Sequence, residues 1–241
     1  MADSKTKPGN FMLIHGGWHG GWCWERVANI LRVRGHRAWT PTNLGVGEKA
    51  HLYSPAINLT THILDIVNLI EMGDLTDFVL CGHSYGGMIA TGVADRMAPR
   101  VRSLVYLDAF LPENGQSTFD LNKPEVVADR LAKAGNNGGH TLPPVPAAVF
   151  GVNEADRAMV DAKCTPQPFA TLCERIALTG AHKTIAKRMY VYATRWQPTP
   201  FAETYARLKA DPAWITHEVD CGHDVMLDMP ERTAELLMAA M

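Results

Sequence analysis

Apolar residues recur along this chain in two alternating patterns. Short continuous runs at 11–14 (FMLI), 77–81 (DFVLC), 101–110 (VRSLVYLDAF), 187–194 (KRMYVYAT) and 213–219 (AWITHEV) have the length and composition of buried strands, and 36–41 (HRAWTP) reads as a further strand. Between them lie stretches of helical period. In 24–35, Trp24, Val27, Ile30 and Leu31 share one face and Gly35 ends the run. In 58–73, Ile63, Val67 and Ile70 form the apolar stripe, with Asn58 and Thr60 as candidate N-caps. The segments 85–98 and 231–241 complete the helical set. Buried strands alternating with amphipathic helices predict an α/β fold: a mostly parallel central sheet with helices on both faces.

One segment breaks this rhythm. From 111 to 187 no run reads as a strand of the sheet, and two helix-like pieces, 124–134 and 153–163, sit among NNGGH and LPPVPAAVFG. The expectation is a helical cap at 111–187, inserted between two parts of one core, 1–110 and 188–241. There is no internal repeat and no low-complexity tract.

A net charge of -2 with a pI near 6.5 gives no electrostatic drive toward nucleic acid or an anionic membrane. The N-terminal 1–17 (MADSKTKPGNFMLIHGG) has no signal-peptide h-region, and no run has the length of a membrane span. Five cysteines without paired spacing fit reduced thiols and a cytoplasmic location, with a Cys164–Cys173 bridge as the alternative pairing. No ligand-spaced metal cluster and no cofactor motif stands out, so no cofactor is expected.

The chemistry concentrates in three places. At 82–86, GHSYG matches G-x-S-x-G, with an apolar strand before it and a helix after it. A sharp strand-to-helix turn presents the Ser84 hydroxyl above the sheet edge, and Gly82 and Gly86 must be small for the turn to close. At 14–24, IHGGWHGGWCW places His-Gly-Gly directly after the first strand, where a loop supplies a second oxyanion donor; the expected donors are the N–H groups of Gly17 and Tyr85. His223, in a tight loop after the last strand, is the expected base. His15 reads as shaping the oxyanion loop, and His83 as the variable elbow position.

The sequence resembles the plant methylesterase and hydroxynitrile lyase branch of the α/β-hydrolases, and more closely its bacterial relatives. LIHGGWHGGWCWERV, GHSYGGM, LVYLDAFLPENGQS and CGHDVMLDMPE carry the likeness. The family's acid follows the strand before the one that leads to the histidine, where this chain has Trp196 and Gln197. A triad needs a carboxylate to orient the imidazole. Asp108, at the end of 101–110, is the candidate, and the order Ser84, Asp108, His223 is retained; haloalkane dehalogenases resemble this placement. Asp220, Asp224 and Asp211 are the rival carboxylates.

These residues point to a serine hydrolase that cleaves small, largely apolar carboxylic esters through an acyl-enzyme, as a monomer or homodimer. Gly16, Trp18, Trp22 and Phe110 are candidate pocket residues, with core filling as the other reading of Trp18 and Trp22. The same scaffold also serves hydroxynitrile lyases and hydrolases of amide, lactone or carbon–carbon bonds. The lyases resemble each other in a Thr and a Lys where this chain has Gly16 and Asp224. A binding protein without turnover is the reading from another class.

Overall fold

The structure, a computed structural model, describes residues 8–241; residues 1–7 of the segment read as lacking a signal peptide lie outside it. In chain order the strands are β1 Asn10–Ile14, β2 Arg37–Trp39, β3 Phe78–Ser84, β4 Val101–Ala109, β5 Thr141–Leu142, β6 Gln167–Pro168, β7 Lys187–Ala193 and β8 Ile215–Val219. The helices are α1 Glu25–Val33, α2 Leu59–Met72, α3 Gly86–Met97, α4 Pro124–Gly135, α5 Glu154–Lys163, α6 Ala170–Cys173, α7 Ala202–Lys209, α8 Val225–Asp228 and α9 Pro230–Ala239.

Six of the strands form one sheet in the order β2-β1-β3-β4-β7-β8, every pair parallel. The central strands β1, β3 and β4 are buried almost end to end, which explains why they read as continuous apolar runs. Burying Phe11, Leu13, Leu80 or Leu104 contributes about 2 kcal/mol each relative to exposure. Strand order reverses at β1: the chain runs outward to β2, then back across to β3. Right-handed crossovers therefore put α1 and α2 on opposite faces. α1 packs on α9, and α2 packs on α3.

Asn58 caps α2: its side chain accepts the Thr61 N–H while the Thr61 hydroxyl accepts the Asn58 N–H, a closed capping box. Of the two expected caps, Thr60 instead donates its hydroxyl and N–H to Glu174. The strand expected at 36–41 is shorter, Arg37–Trp39. Between β4 and β7 the chain leaves the sheet for α4, α5, α6 and a two-stranded antiparallel ribbon, β5–β6. The ribbon and α7 carry no long apolar run, and the sequence pattern did not predict them. All five cysteines are free, so the Cys164–Cys173 pairing is not formed. Among the described residues no helix is long and apolar enough to cross a membrane.

Candidate active site

Ser84 ends β3 with φ of +52°, a left-handed conformation that a serine adopts only under constraint. The constraint is close packing. A Cβ on Gly82 would lie 2.3 Å from the Gly86 carbonyl oxygen, and one on Gly86 would lie 2.7 Å from the Ile14 and His15 carbonyl oxygens. The turn therefore closes only with glycine at both places, and Tyr85 becomes the residue from which α3 starts.

Asp108 is placed by a bulge. The β3–β4 register runs His83 to Leu107 and then Ser84 to Ala109, so Asp108 is the unpaired extra residue, with φ of +43°. The bulge re-aims its carboxylate across the strand ends. One oxygen accepts the Ala193 N–H at the end of β7 (3.0 Å), and the other lies 2.6 Å from His223 Nδ1. Both side chains are buried.

His223 is held at backbone and ring. Its N–H donates to the Phe150 carbonyl (2.8 Å), and its own carbonyl accepts the His83 Nε2–H (3.0 Å). The Trp196 ring stacks on its imidazole at 4.1 Å, while the Trp196 indole N–H donates to the Val149 carbonyl. An aromatic ring thus occupies the position after β7 where the resemblance leads one to expect an acid, and the Asp108 carboxylate reaches the same imidazole from β4. Burial pushes the His223 pKa down to about 3, leaving a neutral imidazole able to accept a proton. Burial also raises the Asp108 pKa, opposed by the Ala193 N–H. A buried carboxylate with a single backbone donor gains from an adjacent imidazolium, so the pair favours proton uptake by His223 during a reaction.

The loop after β1 lies opposite. A Cβ on Gly17 would be 3.9 Å from Tyr85 Cβ, so the two expected donors sit side by side. The following residue, Trp18 (φ +64°), is anchored by the insertion: its N–H donates to Gln167 Oε1, and its indole N–H to the Leu142 carbonyl. His15 donates Nδ1–H to the Gly16 carbonyl and accepts the Asn43 N–H at Nε2. The Tyr85 hydroxyl donates to His62 Nδ1, since His62 Nε2–H is committed to the Leu44 carbonyl.

His19 escaped the sequence reading. Its Nδ1 lies 2.7 Å from the Gly17 carbonyl and its Nε2 lies 3.0 Å from Asp224 Oδ2. A carbonyl only accepts, and so does a carboxylate, so both ring nitrogens carry protons. The charge of Asp224 raises the His19 pKa well above its ordinary value despite complete burial, and His19 in turn holds Asp224 well below the carboxylate range. The available signal was position: each residue is adjacent to a candidate site residue. Asp224, a rival for the acid role, is thereby paired with His19 rather than with the Nδ1 of His223.

A cavity of about 110 Å³ is lined by Ser84, His223, Gly17, Tyr85, Trp18 and Phe110, with Phe150, Leu172, Trp196 and Phe201 forming most of its apolar wall. Two expected pocket residues are elsewhere. Gly16 packs beneath the site, where a Cβ would be 2.9 Å from Ser84 Cβ and from His83 Nδ1. Trp22 stacks on His19 at 5.3 Å, behind the oxyanion loop. Arg130 and Thr118 also line the cavity, and no motif or periodicity marks them for it. Among the described residues no group of three His, Cys, Asp or Glu is arranged to hold a metal ion.

Residues 11–236 match the profile described as the Alpha/beta hydrolase family. The chain belongs to that family. It is 45% identical to a "Carbendazim hydrolyzing esterase" of Nocardioides sp. (strain SG-4G), over 95% of this chain and 98% of that protein. It is 23% identical to "Putative methylesterase 13, chloroplastic" of Arabidopsis thaliana over 88% of its length, spanning about half (51%) of that protein. A solved extracellular α/β-hydrolase from a Paenibacillus species, described as sharing structural and functional homology with tobacco Salicylic Acid Binding Protein 2, superposes with a TM-score of 0.85 at 26% identity, covering 97% of this chain and 99% of the other. The family is the one expected, and ester hydrolysis of the carboxylesterase type is the activity these relatives support.

Proposed function

We propose that Ser84, His223 and Asp108 are the catalytic triad of a serine esterase that acts on small, largely apolar carboxylic esters through an acyl-enzyme. One observation carries the reading: the buried 2.6 Å contact between His223 and Asp108, at a cavity that Ser84 also lines. Ser84 attacks the ester carbonyl as His223 takes its proton. Asp108 holds the imidazole in the tautomer that accepts at Nε2 and offsets the charge it gains. The Gly17 and Tyr85 N–H groups receive the oxyanion. His223 returns the proton to the leaving alcohol, then activates water to release the acid.

The small apolar cavity supports a compact substrate, and carbendazim and methyl esters are the first to test. In this reading residues 111–187 act as a cap over a core formed by 1–110 and 188–241. The cap supplies Phe150 and Leu172 to the pocket wall and Gln167 to the oxyanion loop. The protein works on a small-molecule ester, as a monomer or homodimer in the cytoplasm. The Asp224 carboxylate, in place of a lysine after the base, runs against cyanohydrin cleavage, in which a leaving cyanide needs a positive group.

The test is turnover of short p-nitrophenyl esters by the wild type and by Ser84→Ala. The expected result is hydrolysis abolished by the substitution, with a loss of about 10⁴-fold or more in kcat. Equal turnover by both proteins contradicts the assignment.

A further inference from the structure

Arg130 has no hydrogen bond and no ion pair among the described residues; its one specific contact is with the Trp18 ring, 5.9 Å from the guanidinium carbon. It lies on α4 one turn beyond Val126, and the two side chains line both the Ser84 cavity and the larger cleft outside it. Among the described residues that line the inner cavity, Arg130 alone carries a full charge at neutral pH, since His223 is neutral. Burial lowers the Arg130 pKa, with only the Asp129 charge opposing. Arg130 is half-buried, and its five N–H donors have no partner among the described residues at the edge of a mostly apolar cavity.

A second observation points to the same place. Thr118 is 1% exposed and lines the cavity, yet its Oγ1 has no hydrogen-bond partner. Its backbone carbonyl accepts the Asn122 side-chain N–H, which fixes Asn122 in the same wall. An unsatisfied buried hydroxyl and an unpaired guanidinium thus belong to two residues that line the same mostly apolar cavity.

Resting on the esterase reading of Ser84, we propose that Arg130 and Thr118 form a specificity subsite for a hydrogen-bond acceptor on the substrate, distinct from its scissile carbonyl. The substrate class is then a compact ester with a second carbonyl or a carboxylate, rather than a plain alkyl ester. Arg130 touches that group and not the reacting atoms, so it sets substrate choice.

The test is calorimetric titration of three methyl esters of similar size: methyl pentanoate, methyl 4-oxopentanoate and monomethyl succinate. They are titrated into Ser84→Ala protein with and without Arg130→Met or Arg130→Lys. Binding is read without turnover, so a failure of the esterase reading appears only in the activity assay, and a failure of the subsite only here. The expected result is at least tenfold tighter binding of one or both acceptor-bearing esters than of methyl pentanoate. Arg130→Met removes that preference, and Arg130→Lys keeps part of it. A gain for monomethyl succinate alone identifies the acceptor as anionic, and a gain for both shows that a neutral carbonyl suffices; either supports the subsite. Equal binding of the three esters, or a preference that survives Arg130→Met, overturns it. So does an equal loss of all three on Arg130→Met.

Discussion

Two residues in left-handed conformations, Ser84 and Asp108, hold the site together, and each sits at the end of a buried strand. The serine was legible because its turn has a fixed glycine pattern. The aspartate was legible as a carboxylate at a strand end, but the bulge that aims it leaves no mark on composition. His19 and Asp224 were harder to read, because a pair 205 residues apart has no local signature. Their buried ion pair ties the Gly17 carbonyl to the residue after His223. Asp224→Asn removes the charge that keeps His19 doubly protonated, and the clamp on Gly17 loosens. The expected outcome is a fall in kcat of about tenfold or more with KM little changed, the pattern of a misplaced oxyanion donor. A kcat within twofold of wild type would show that the pair is not needed to set the loop.

At the scale of elements, the strands and long helices follow the apolar pattern because burial on two faces, or on one stripe, dictates it. β5, β6 and α7 escape that pattern because they are short and depend on tertiary contact. β5 and β6 exist where the insertion meets Trp18, and Gln167 on β6 takes the Trp18 N–H. α3 packs closely on the end of β4 near the site. A Cβ on Gly87 would lie 2.1 Å from the Phe110 carbonyl oxygen and 3.0 Å from Ala109 Cβ. Backbone cannot yield there as a side chain can. Gly87→Ala is expected to destabilise the protein by about 2 kcal/mol or more in urea unfolding and to lower kcat by displacing the end of β4. Unchanged stability would mean that helix and strand separate freely.

Over the whole molecule, charge is balanced outside but histidine is concentrated inside. Burial lowers the pKa of His15, His62, His83 and His223 below 6.5. For each, the unfolded chain binds the proton more readily, so the stability it contributes is present above pH 6.5 and lost as pH falls. His19 and Asp108, whose values are raised, act in the opposite sense, and they are outnumbered. Tm is therefore expected to fall by about 5 °C or more between pH 7 and pH 5. A constant or rising Tm would contradict the neutral state of the buried imidazoles. The central claim at this scale concerns topology: three strand ends and one loop converge on a single cavity, with the acid coming from β4 and not from the segment after β7. Measuring kcat for Asp108→Asn, with the fold checked by its melting curve, tests that claim most directly. A fall of about 10³- to 10⁴-fold with the fold intact is predicted. Turnover near that of the wild type would show that another carboxylate serves His223.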